Sequence, residues 1–201
     1  MKHGYPDLTL YVIKKGDDER MNPIIYNFIQ RLLNNPKKKK KLIKNLIIGN
    51  VIDIGCGTGF YSDLTEDYTG VDNDEDLIKY CARKWPNRHF ILCDIRNLKT
   101  FSNNSFETTI CIDVLHHLND DDVKKTLGEI ARITSNKVII LDSIKEQNPL
   151  CQLINTFDKG KFIRDWVDEY NLIEKYLEIK DYNFNNFGLY NEVIFLCQTK
   201  K

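Results

Sequence analysis

Val51-Ile52-Asp53-Ile54 runs directly into Gly55-Cys56-Gly57-Thr58-Gly59, and this passage narrows the possible folds more than any other part of the chain. A short, apolar, β-branched segment reads as a strand buried on both faces. Three glycines at alternate positions let the backbone turn through left-handed conformations and let a ligand approach it closely. The helical pattern Phe60–Thr65 that follows predicts a short helix whose first N–H groups face that ligand. A buried strand ending in such a loop belongs to a sheet with helices packed on both faces.

The flanking sequence agrees. Further strands are predicted at Tyr68–Val71, His89–Leu92, Thr108–Ile112 and Val138–Leu141. Helical patterns lie between them at Asp74–Lys84 and Asp120–Ile133. After Pro149 a longer helical region extends to about Tyr170. Two last strands follow, Ile173–Tyr182 and Tyr190–Thr199, joined by a hairpin connection over Asn183–Leu189. Ahead of the glycine loop, Ile24, Ile25, Phe28, Ile29, Leu32 and Leu33 recur at helical spacing until Asn34-Asn35-Pro36. The lysine run Lys37–Lys41 opens a second helical segment with Leu42, Ile43, Leu46 and Ile47. These features divide the chain into a helical cap or lid segment, 1–48, and a catalytic domain, 49–201.

Charge removes some functions. Lys plus Arg and Asp plus Glu each number 29, so the 201-residue chain has no net charge and lacks the basic field of a dedicated nucleic-acid binder. The lysine run therefore reads as a solvated helix start rather than an anionic-surface contact. No apolar run approaches the roughly 20 residues of a membrane span. The six cysteines form no CxxC pair and give no zinc spacing; several sit in apolar runs as small hydrophobes, which fits a reducing cytoplasm.

The loop's ligand can be narrowed from its neighbours. The spacing G-x-G-x-G departs from the dinucleotide fingerprint G-x-G-x-x-G, and Asp53 beside it would repel a pyrophosphate. No Gly-Lys-Ser/Thr follows, so a P-loop is absent. A carboxylate there favours a ligand with a positive group, as in S-adenosylmethionine. Asp72 ends the second strand, where an acid can accept both ribose hydroxyls. Asp94 ends the third, placed to accept from an adenine amino group, with Ile95 packing on the ring. Any one such acid is equally a helix cap; three at consecutive strand tips argue for one ligand.

These residues resemble a family. Asp53–Gly59, Gly70-Val71-Asp72, Cys93-Asp94-Ile95 and Asp113-Val114-Leu115-His116-His117-Leu118 are similar to the motifs of class I S-adenosylmethionine-dependent methyltransferases of the small-molecule type. The resemblance covers about residues 45–145. It implies a Rossmann-like, doubly wound α/β fold, a seven-stranded, mostly parallel sheet in the order 3-2-1-4-5-7-6 with strand 7 antiparallel. It places the methionine end of the cofactor over Gly55, Cys56, Gly57 and Gly59 near Asp53, the ribose on Asp72, and the adenine among Asn73, Asp94 and Ile95. Ile112, closing the fourth strand, joins this set.

Methyl transfer to an oxygen benefits from a base. His116 or His117 after the fourth strand can reach Asp142 at the end of the fifth, with the carboxylate orienting the imidazole. Tyr5, Tyr11, Arg164 and Tyr190 are candidates for the acceptor pocket, with Arg164 or Lys161 placed to meet an acidic substrate. The expected partner is a small-molecule acceptor, without nucleic acid or a membrane span. Two other readings stay open from sequence: a protein of this fold using the cofactor for a non-methylating reaction, and a nicotinamide-dependent oxidoreductase.

Overall fold

The computed structural model describes residues 36–145, 162–186 and 191–200. Seven strands form one sheet: β1 (Val51–Ile54), β2 (Tyr68–Asp72), β3 (His89–Leu92), β4 (Phe106–Ile112), β5 (Thr134–Ser143), β6 (Leu177–Asn186) and β7 (Asn191–Thr199). Their order is β3-β2-β1-β4-β5-β7-β6. Strands β1 to β5 pair in parallel, and β7 runs antiparallel to both β5 and β6. The helices are α1 (Pro36–Lys44), α2 (Glu75–Lys84), α3 (Asp120–Ile133) and α4 (Trp166–Glu174). This is the expected strand order, antiparallel β7 included.

Strand alternation builds two cores. Ile52 and Ile54 face one side, with Cys111, Ile140 and Phe195, beneath Leu127 and Ile130 of α3 and Ile173 of α4. Val51, Ile110, Ile139 and Ile194 face the other, beneath Ile43 of α1 and the Tyr61 and Leu64 side chains. Burial on both faces explains why β1 reads as an unbroken apolar run. Helix starts follow their caps. Asp74 accepts the N–H groups of Asp76 and Leu77 ahead of α2, and Asn119 accepts that of Asp122 ahead of α3. Asp120, Asp121 and Asp122 add negative charge to the first turn of α3.

Four expectations need correction. Phe60–Thr65 forms turns, not a helix. Its bonds span three residues, Ser62 N to Gly59 O and Leu64 N to Tyr61 O, and the Ser62 hydroxyl also takes Gly59 O; a run this short with Ser, Asp and Thr has local bonds competing with the helix. The sixth strand starts at Leu177, because α4 carries through Glu174 and buries Leu172 and Ile173 on its own inner face. Its far end extends to Asn186, paired with Asn191, so the expected Asn183–Leu189 connection shrinks. The lysine run is not uniformly solvated: Lys39 is 3% exposed. The helix expected around Ile24–Leu33, with most of the 1–48 segment, lies outside the described residues, as do Tyr5, Tyr11, Lys161 and Tyr190. The five described cysteines carry free thiols; Cys151 is outside the described set. Among the described residues no helix is long and apolar enough to cross a membrane.

Candidate active site

The chain crosses from β1 to β2 on one side and reaches β4 on the other, so the crevice above the carboxyl ends of β1 and β4 is a topological switch point. The glycine loop lies there. Gly55, Gly57 and Gly59 have φ of +72°, +53° and +66°. A Cβ on Gly55 would meet the Val114 side chain at 2.7 Å, which closes the loop against the segment after β4. A Cβ on Gly57 would meet nothing within 4 Å, so the loop presents an open backbone face at that point.

Asp72 holds this loop. Its carboxylate accepts the Gly57 N–H at 2.8 Å and the Asp74 N–H at 3.0 Å. Two backbone donors fix the plane of a half-buried carboxylate that has about four acceptor directions, leaving capacity for hydroxyl donors. With no helix after the loop, the expected helix N-terminus contributes nothing, and the Gly57 N–H already serves an acid. Both facts suit a ribose on Asp72 and disfavour a pyrophosphate.

Asp53 departs from expectation. It lies on the same face of the sheet as Val51, accepts the Tyr68 hydroxyl at 2.6 Å, and is 2% exposed. Burial pushes its carboxyl up to about 7, opposed by the Tyr68 hydrogen bond and reinforced by the Asp72 charge. It is sealed beneath the sheet surface rather than presented to the methionine end of a ligand. Cys56 and Ile112 are buried as well. The Cys56 Sγ fills the space a Cβ on Gly70 would enter, at 2.9 Å, so these two residues offer the crevice only backbone. Asn73 is exposed beside Asp72 and Ile95 is half-buried against the core. Asp94 is exposed but gripped by Arg96, Nη2 at 2.7 Å and Nε at 2.9 Å, and Arg96 reaches on to Asp122 at 3.0 Å. The guanidinium holds the Asp94 carboxyl below its usual range.

The histidine expectation gains a definite form. Leu115–His117 forms a single 3-10 turn after β4. Within it, buried His116 bonds through Nδ1 to Oδ1 of buried Asp142, and the His116 N–H donates to Oδ2 at 3.1 Å. Ser143 N–H donates to the same carboxylate at 2.8 Å. Burial drives the Asp142 carboxyl upward, but the His116 charge and these donors outweigh it and hold it below the ordinary carboxylate range. His117 is exposed and packs against His116 at 4.1 Å between ring centres, with the ring planes tilted by 47°. Asp142 thus orients His116, not His117. Glu169 of α4, also buried, faces this pair; burial first, and the Asp142 charge second, push its carboxyl well up.

A second charged cluster occupies the opposite face of the same edge. Lys39 Nζ reaches Asp113 Oδ2 at 2.9 Å and Glu192 Oε1 at 2.8 Å. Sequence reading missed Lys39, Glu192 and Glu169, although Lys39 stands three and four positions before Leu42 and Ile43, and Glu169 three and four before Leu172 and Ile173. That helical spacing marks both as inward-facing. Arg164 also departs from expectation. It donates to Leu115 O at 2.9 Å and Leu118 O at 2.6 Å and pairs with Asp120 at 2.8 Å. Its guanidinium ties the His116 turn to α3, so it is not turned toward an acidic substrate.

The comparisons point one way. A family described as a methyltransferase domain matches residues 52–141. The uncharacterized protein MJ0638 of Methanocaldococcus jannaschii is 29% identical over 176 residues, 86% of this chain and 68% of that protein. The malonyl-[acyl-carrier protein] O-methyltransferase of Hamiltonella defensa is 25% identical over 135 residues, which cover 65% of this chain and 48% of that enzyme. Magnesium protoporphyrin IX methyltransferase from Synechocystis PCC 6803, solved with bound S-adenosylhomocysteine, shares the fold with a TM-score of 0.67 at 18% identity, covering 91% of this chain and 90% of that one. The matched span holds the glycine loop, Asp72 and His116, and over it the chain is similar to a methyltransferase domain.

Proposed function

We propose that the chain methylates an oxygen of a small-molecule acceptor, with His116 as general base and Asp142 as its orienting carboxylate. The observation that carries this is the buried His116–Asp142 pair at the carboxyl edge of β4 and β5. A carboxylate on Nδ1 fixes the tautomer and makes Nε2 the basic end of the ring. Bound S-adenosylmethionine supplies a methyl on a sulfonium, whose departure leaves a neutral thioether. The chain's task is then to align the acceptor, exclude water and take the hydroxyl proton. His117, exposed and packed against His116, covers the base; Tyr5, Tyr11 and Tyr190 are candidates for the pocket wall, and residues 1–48 for a cap over it. An O-methyltransferase among the relatives supports transfer to oxygen, and the Synechocystis enzyme, named for a porphyrin, supports a small acceptor.

The cofactor half is tested by calorimetry. Asp72→Ala removes the acceptor for two hydroxyls and is expected to weaken S-adenosylhomocysteine about 100-fold; unchanged affinity would refute the ribose placement. The base is tested by following S-adenosylhomocysteine formation over pools of small hydroxylated metabolites. His116→Gln should lose turnover by about 100-fold or more while still binding cofactor. His117→Ala should keep most of it, and a His116→Gln enzyme with an unaltered rate and pH profile rules the base out.

A further inference from the structure

Two thiols lie together beneath the glycine loop, and neither has a part in the reaction described above. We propose that Cys56 and Cys81 form a reversible disulfide whose closure shuts the loop to its ligand; the effect on the ligand rests on the cofactor reading above. Cys56 stands between Gly55 and Gly57, and Cys81 lies with Ile78 on the buried face of α2. The two thiols are hydrogen-bonded to each other. Cys81 Sγ also donates to Gly57 O at 3.2 Å, so its single proton is engaged there and Cys56 is the donor within the pair. Both sulfurs border the Phe90 ring. A Cβ on Gly70 would meet that ring and Cys56 Sγ at 2.9 Å, and a Cβ on Gly59 would meet the ring at 3.1 Å and Cys81 Sγ at 3.2 Å.

A disulfide holds its sulfurs about 2.05 Å apart and its Cβ atoms about 3.8 Å apart, closer than two hydrogen-bonded thiols. Closure removes both thiol protons, so Gly57 O loses its donor. It also draws Cys56 Sγ from its seat over Gly70 toward α2. The loop can follow, because Gly57 and Gly59 have φ of +53° and +66° and a Cβ on Gly57 would meet nothing within 4 Å. The Gly57 N–H that Asp72 accepts at 2.8 Å moves with the loop. Closure therefore breaks the clamp that fixes Asp72 for the ribose.

The oxidant is a low-molecular-weight disulfide. Cys56 is 6% exposed against 0% for Cys81, so it is the thiol reached first. Its thiolate attacks one sulfur of the small disulfide, which forms a mixed disulfide and releases one small thiol. Cys81 then attacks the Cys56 sulfur and releases the second. Two protein S–H bonds and one small S–S bond become one protein S–S bond and two small S–H bonds. The protein gives up two electrons and the small disulfide takes them. The Cys81 bond first, and burial second, push the Cys56 thiol far up, so the closed loop protects the reduced pair and oxidation proceeds through loop opening.

The test treats the reduced full chain with oxidised glutathione, with and without S-adenosylhomocysteine. Mapping of unreduced peptides should find Cys56 linked to Cys81. Calorimetry on the oxidised, desalted protein should show S-adenosylhomocysteine weakened by about 10- to 100-fold, the worth of one hydrogen bond to a charged group, and dithiothreitol should restore it. By linkage, saturating S-adenosylhomocysteine should shift the thiol–disulfide equilibrium toward thiols by the same factor. Cys56→Ala and Cys81→Ala should each show one affinity before and after oxidation. Cys93→Ala, which removes a half-buried thiol elsewhere, should respond as wild type does. An oxidised chain without the Cys56–Cys81 link, a linked chain with unchanged affinity, or a loss that persists in Cys81→Ala would each overturn the assignment. Reduced wild type that binds no S-adenosylhomocysteine would overturn the cofactor reading instead, while the peptide map still reports on the pair.

Discussion

Asp142→Ala is expected to lower the unfolding free energy by about 3–5 kcal/mol, the cost of leaving three buried donors without the carboxylate they share. The carboxylate accepts from the His116 ring, the His116 N–H and the Ser143 N–H, all at the edge of the core. Deleting it strands those donors away from water. Asp142→Asn keeps one oxygen for a backbone donor and loses the charge, so its cost falls between wild type and alanine. The pH dependence has a definite sign. The folded carboxyl sits below its usual range, so its contribution is complete above the unfolded value of about 3.9 and fades as pH falls through the lower folded value. Urea unfolding near neutral pH and again below about pH 4 should therefore show the gap between wild type and alanine narrowing in acid. A gap under about 1 kcal/mol at neutral pH would mean that the pair is not buried and bonded as described.

What the sequence disclosed depended on whether the signal was local. β1, β3 and α3 begin and end where the sequence places them, because each is bounded by its own turn or capping chemistry. The His116–Asp142 pair was legible because it needs only the adjacency of β4 and β5, which strand order supplies. The inward turn of Asp53 was hidden for a physical reason. A strand buried on both faces shows no alternation, so neither face announces which residues look into the crevice. Arg164 was misassigned because its partners, Leu115, Leu118 and Asp120, lie far away in sequence and its charge suggested a ligand. Lys39 was submerged in a run of like residues, where composition outweighed its helical spacing from Leu42 and Ile43.

Asp53→Asn is expected to stabilise the protein in mildly alkaline solution, and the size of the gain should depend on pH. The Asp53 carboxyl is raised by burial to about 7, against about 3.9 in an unfolded chain. Between those values the native state holds a proton that the unfolded state has lost, so wild-type stability falls as pH rises through that window and levels off above it. At about 1.4 kcal/mol per unit, the full fall is of the order of 4 kcal/mol. Asparagine is neutral throughout and keeps an oxygen for the Tyr68 hydroxyl, so the variant escapes the fall. Its buried amide carries one donor more than the protonated carboxyl's single O–H, which costs about 1–2 kcal/mol. The two stability curves should therefore cross, with wild type ahead near about pH 4 and the variant ahead by about 2–3 kcal/mol near about pH 8. Glu192 and Glu169, also raised by burial, tilt both curves alike and cancel in the difference. Parallel curves from urea unfolding across this range would show that Asp53 ionises normally in the fold. A crossing would show that this acid of the glycine-loop strand is kept neutral by the core.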